Sequence, residues 1–278
     1  MRFVTDNRAS RILYNFLSTK KFEKPIVVPL NVCEVVPSVF SEAEVEFVFA
    51  DIDPGTLCLD LDWVFSNINH FSGIFFVHTY GTEYSYEDSF LEIKKQVPGF
   101  VIVDDRCLCM PSLLAPETIA DVCLYSVGDK KQVDLGIGGF AFLQEDIEYK
   151  FKSLKPGSFL NDKFWELNRD VFAKRADSSI SHRNHINEVY RSLLPNEIQF
   201  EDRFQNWRFN IWVDNKEEVL RAIFAGGLFA SSHYRPLGQT DDSTNAVQLH
   251  NHVINLFNDY HFSIEMAERT CSIINRMI

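Results

Sequence analysis

Four groups of residues between positions 100 and 140 have types and spacing that could do chemistry. The apolar run 100–103 ends in two acids, Asp104 and Asp105. The run 121–126 ends in a hydroxyl, Ser126. Lys131 follows five residues later, and Gly136-Ile137-Gly138-Gly139 opens the next apolar run. A lysine amine can condense with a carbonyl or carry a proton. A carboxylate can hold a proton on a ring nitrogen. Hydroxyls and backbone N–H groups can hold a phosphate, best at a helix N-terminus. Glycines let backbone approach a flat ligand with no Cβ in the way. Alone, each feature has an ordinary reading: an acidic strand end, a solvated lysine, a turn. In this order they are the parts that a bound pyridoxal phosphate requires.

For these residues to meet, a sheet must bring the ends of its strands together. Ligands of open α/β sheets bind at the carboxyl ends of the strands. Runs at 25–29, 45–50, 73–77, 100–103, 121–126 and 139–143 are near-continuously apolar, as strands buried on both faces are. Helical patterns at 57–69 and 86–96 lie between them. A first helix is expected over 6–19, capped by Asp6 or Asn7, with Ile12, Leu13, Phe16 and Leu17 on one face. The alternation predicts an α/β fold with a mostly parallel central sheet flanked by helices. Beyond residue 150 the pattern changes. A charge-rich helical stretch over 159–194 precedes a strand at 207–213, a helix at 216–225 and a last helix at 263–277. Ser263 is its expected N-cap, and Ile264, Ala267, Cys271, Ile274 and Ile278 its apolar stripe. The expected division is a larger α/β domain, 1–150, and a smaller α+β domain, 151–278.

Composition narrows the function classes. The 278 residues are 46% hydrophobic, enough for a large core, and 24% charged, too apolar a mixture for bulk disorder. A net charge of -12 argues against a nucleic-acid surface, which needs basic side chains to replace counterions. No apolar h-region opens the chain and no run reaches 18 apolar residues, so neither a signal peptide nor a membrane span is expected. Six scattered cysteines suit reduced thiols in a cytoplasm. Cys107 and Cys109 read as part of an extended segment rather than as a metal pair. The pairs His182/His185 and His250/His252 lack further ligands at metal spacing, and no metal site is read from them. Neither a G-x-S-x-G elbow nor a P-loop is present.

The run ADVCLYSVGDKKQVDLGIGGFAFL, 120–143, resembles the lysine segment of the DegT/DnrJ/EryC1/StrS family of sugar aminotransferases. Ser126, Lys131, Gly136, Gly138 and Gly139 fall on its pattern without a gap; Lys130 misses both spacings by one. VFADIDPGTLCLD (48–60), VHTYG (77–81), VIVDDRC (101–107), ASSHYRPLG (230–238) and 253–275 also resemble family segments. The resemblance implies a fold-type-I pyridoxal-phosphate enzyme. Lys131 is then the catalytic lysine, and Asp105 the acid at the pyridine nitrogen. Ser126, with Asn7 and Arg8 at the first helix, holds the phosphate. Cys33 falls where the family has a ring-stacking aromatic, and His233 and Tyr234 fall near its substrate contacts. The implied reaction moves an amino group, usually from glutamate, to a nucleotide-linked keto sugar, in a homodimer with sites at the interface. The departures are Asp6-Asn7-Arg8 in place of the phosphate-binding Ser-Gly-Thr, Cys33, Leu108 and Gly128. They motivate an alternative, a catalytically reduced member with a binding or regulatory role.

Overall fold

The computed structural model describes residues 1–82, 84–150, 162–241 and 243–278. The expected apolar runs become strands of one sheet: β1 (Arg2–Asp6), β2 (Ile26–Pro29), β3 (Phe47–Ala50), β4 (Gly73–Val77), β5 (Val101–Asp105), β6 (Val122–Ser126) and β7 (Gly139–Leu143). Their order is β1-β7-β6-β5-β4-β2-β3. β2 to β6 pair in parallel, while β7 lies antiparallel to both β6 and β1. Every strand but β7 therefore points the same way. The carboxyl ends of β1, β2, β5 and β6 share one edge with the start of β7.

Side chains alternate across the pleat. Val101, Val103, Val122 and Leu124 pack towards α1 (Ala9–Leu17) and α2 (Val35–Glu42). Ile102, Cys123 and Tyr125 pack on the other face, with α3 (Leu61–Asn67) and α4 (Glu87–Gln96). α1 buries Ala9, Ile12, Leu13, Phe16 and Leu17, the spacing of one helical face. Helix α5 (Asp162–Leu193) sets Trp165 and Phe172 on the α3/α4 side of the sheet. Its second half sets Ile186 and Tyr190 in a separate core. That core lies under a small antiparallel sheet, β8 (Phe209–Trp212), β10 (Val253–Leu256) and β9 (Ala230–Ser231). Helices α6 (Lys216–Ala225) and α8 (Ile264–Ile274) pack there, and α7 (Asn245–His252) leads into β10. Among the described residues no helix is long and apolar enough to cross a membrane.

Several expectations are corrected. The first helix does not start at residue 6. Asp6 ends β1, which pairs with β7 through Asp6↔Gly139. Arg8 is then the N-cap, extended and without a side-chain cap bond. Pairing along the edge strand outweighs the capping preference of Asp6 and Asn7. Residues 159–161 of the predicted helical stretch lie outside the described residues. Ser263 does cap α8, accepting the Met266 N–H at 3.1 Å, but Ile264 is 51% exposed and the buried face is Ala267, Thr270, Cys271 and Ile274. β1, α2, β9, α7 and β10 were not expected from the pattern.

Gly139 sits where β7 begins under the opening of α1. A Cβ there would lie 2.2 Å from the Ala9 nitrogen and 2.6 Å from its Cα. Backbone cannot move aside as a flexible side chain can. Gly139→Ala should destabilise the protein by about 2 kcal/mol, the scale of core overpacking, as measured by denaturant unfolding. An unchanged midpoint would contradict this packing.

Candidate active site

The shared sheet edge opens into a cleft of about 490 Å³, within the usual range for a small-ligand site. The pleat selects what reaches it. Asp105 lies on the same face as Val101 and Val103, and Ser126 on the same face as Val122 and Leu124. Both line the cleft, with Asn7, Arg8, Cys33, Lys131 and Tyr234. Seven of the eight residues singled out in the sequence thus meet. His233 does not: it is buried, and its Nε2 lies 3.0 Å from the Asn31 carbonyl oxygen.

Asp105 is buried, and its Oδ1 accepts the Cys107 N–H at 2.9 Å. Burial raises its pKa above the ordinary aspartate value, although Cys107 and the charge of Lys131 pull it down. Its neighbour Asp104 faces the other way. There the His78 Nε2 lies 2.7 Å from Oδ1, and the Arg106 Nε donates to Oδ2 at 2.6 Å. Burial would raise this carboxyl too, but His78 and Arg106 hold it below its usual value. Of the two adjacent acids, one is compensated within the fold and the other is left facing the cleft.

The turn carrying Lys131 is built around a residue that the sequence reading missed, Asp134. One carboxylate oxygen accepts the Lys130 N–H at 2.8 Å and the other the Gly136 N–H at 2.6 Å. This steadies Lys130 at φ 60°, a left-handed conformation that β-carbon sterics disfavour. The Lys131 N–H donates to the Gly128 carbonyl at 3.2 Å, and Gln132 anchors the turn to the Leu108 carbonyl at 2.7 Å. Lys130 points to solvent beside Asp129, and Lys131 to the cleft. The signal for Asp134 was the Asp-x-Gly at 134–136, an Asx-turn pattern.

At the other end the N-terminus of α1 faces the cleft through Arg8, Ala9 and Ser10. No acid lies in its first turn, so its partial positive charge is not cancelled there. Asp6 does not oppose an anion. Fully buried, it accepts the Asn7 N–H at 2.6 Å and pairs with the Arg11 Nε at 3.0 Å. Gly138 (φ 124°) donates its N–H to the Asn7 carbonyl at 2.9 Å, closing the rim. A buried acid, an amine and a cationic helix end around one cleft fit pyridoxal phosphate. Among the described residues no group of three His, Cys, Asp or Glu is placed to hold a metal.

No protein-family model matches the chain, and no curated protein does. Solved structures match along its whole length. A DegT DnrJ EryC1 StrS aminotransferase from Brucella abortus is 16% identical with a TM-score of 0.77, covering 100% of this chain and 86% of that one. Spr1654 from Streptococcus pneumoniae, solved in its PLP-form, is 16% identical with a TM-score of 0.77, covering 99% and 88%. DesI, solved in the presence of its TDP-sugar product, is 16% identical with a TM-score of 0.80, covering 99% and 80%. The chain has the fold of the pyridoxal-phosphate-dependent sugar aminotransferases.

A buried carboxyl with a raised pKa binds its proton more readily in the folded state. It adds stability below its unfolded value and loses it as pH rises through the folded one. Asp105→Asn should therefore raise the Tm of the cofactor-free protein at neutral pH. The gain should shrink as pH falls towards about 4, the ordinary range of the side chain. Thermal melts across this range check it; a gain that grows on acidification would count against it.

Proposed function

We propose that the cleft binds pyridoxal 5′-phosphate and that the protein is an aminotransferase of the DegT/DnrJ/EryC1/StrS family. It moves an amino group from glutamate to a nucleotide-linked keto sugar. The observation that carries this reading is the convergence of Lys131, the uncompensated acid Asp105 and the open N-terminus of α1 on one cleft. When bound, the cofactor supplies an electron sink beside the transferred nitrogen. Asp105 keeps a proton on the ring nitrogen, and the low-dielectric surroundings that disfavour its lone charge strengthen that pairing. Ser126, Asn7, Arg8 and the first turn of α1 hold the phosphate by hydrogen bonds and charge. Lys131 would hold the cofactor at rest through its amine, and that amine would be the group in the cleft placed to accept and return a proton.

The substrate class is supported by the shared fold, which includes a structure solved with a TDP-sugar product. A homodimer is supported by Val35 and Ile137, two cleft-lining apolar side chains that are nearly half exposed. A second copy over this mouth would cover them and exclude water. A cytoplasmic site of action is supported by six free cysteines. Residues 1–150 form the cofactor-bearing unit and 151–278 the smaller one.

Mixing the protein with pyridoxal phosphate should produce a protein-bound absorption band near the visible, and Lys131→Ala should abolish it. Glutamate should bleach the band, and a nucleotide-linked keto sugar should restore it. Absence of a band at saturating cofactor would overturn the reading and favour the fold in a purely binding role.

A further inference from the structure

We propose that Tyr234 is the aromatic wall against which the pyridine ring lies, an inference that rests on the cleft being a pyridoxal-phosphate site. A flat heterocycle held at its nitrogen by Asp105 and beside Lys131 must lay one face on the cleft wall. Only two aromatic side chains line this cleft among the described residues, Phe75 and Tyr234. Phe75 is fully buried in the floor; Tyr234 is 40% exposed and keeps ring surface to offer. It stands beside Cys33 and within reach of the Asp105 charge; burial and then these neighbours push its phenol up, so it stays neutral. Cys33 is small and presents no ring, leaving this part of the wall to Tyr234.

The position of Tyr234 is fixed from both sides. After β9 the chain crosses to the end of β2. There the His233 Nε2 meets the Asn31 carbonyl at 3.0 Å and the Leu237 N–H donates to the Leu30 carbonyl at 3.0 Å. A carbonyl only accepts, so Nε2 carries the proton. Burial pushes the His233 pKa down to about 4, keeping the ring neutral, and it packs edge-on to Tyr80 with centroids 5.1 Å apart. His250 holds the His233 carbonyl through Nδ1 at 2.9 Å. His233 is thus a positioning residue for Tyr234, clipped to the segment that leads to Cys33.

The test is a pyridoxal phosphate titration without any substrate, reading the dissociation constant from the absorption band or from protein fluorescence. Tyr234→Ala should weaken binding roughly two- to tenfold, the worth of an aromatic pair, with an unchanged Tm for the cofactor-free protein. Tyr234→Phe, which keeps the ring, should bind as the parent chain does. Equal affinity for Tyr234→Ala and the parent would overturn the inference and leave the cofactor reading intact. A Tyr234→Phe as weak as Tyr234→Ala would also overturn it, assigning the effect to the hydroxyl. Failure of the parent chain to bind would overturn both.

Discussion

The start of β7 lies against the backbone that opens α1, with no space for a side chain at Gly139. This contact depends on β7 running against its neighbours, so that its beginning meets the ends of β1 and β6. Asp6, Ser126 and Gly139 are brought into register across three strands. The helix N-terminus, the hydroxyl and the turn bearing Lys131 are consequently neighbours. A cationic helix end is useful to an anion only if backbone can come close, and here glycine removes the obstacle.

Around that contact the fold distributes its buried charge unevenly. Asp6 is paired with Asn7 and Arg11, although burial still holds its carboxyl above the ordinary value, and Asp104 is satisfied by His78 and Arg106. Asp134 is spent on the N–H groups of its own turn. Asp105 is left with one backbone donor and a raised pKa. Burying a carboxylate without a full partner costs stability, and such costs gather at sites where a ligand supplies the partner. The departure at Asp6, which stands where the family has a phosphate-binding residue, is a structural pair with Arg11 and Asn7.

The small sheet contributes through one loop. The chain leaving β9 reaches the end of β2 and is held there by backbone bonds and the neutral imidazole of His233. Tyr234 is thereby delivered to a cleft that, among the described residues, is made otherwise by the first half of the chain. The two halves share a site because a residue on one is clipped to backbone of the other.

The sequence by itself determined the strands β2 to β7, through near-continuous apolar runs that cannot be satisfied except between two layers. It also determined that Ser126, Lys131 and the glycines form one unit, because they are close in the chain and a short turn can adopt few geometries. It did not reveal β1, whose charged and exposed residues are held in the sheet by pairing with β7. It chose Asp105 over Asp104 through the family resemblance alone, for which the pleat supplies the physical reason, and it could not tell where the Asp6 carboxylate points. Nor could it separate His233 from Tyr234: their rings lie 5.5 Å apart, and which of the two meets the cleft is set by the end of β2, some 200 positions away. Local pattern reports which segments must be buried. Only the tertiary structure decides which side chain of each segment is left facing a ligand, because that depends on contacts between residues far apart in the chain.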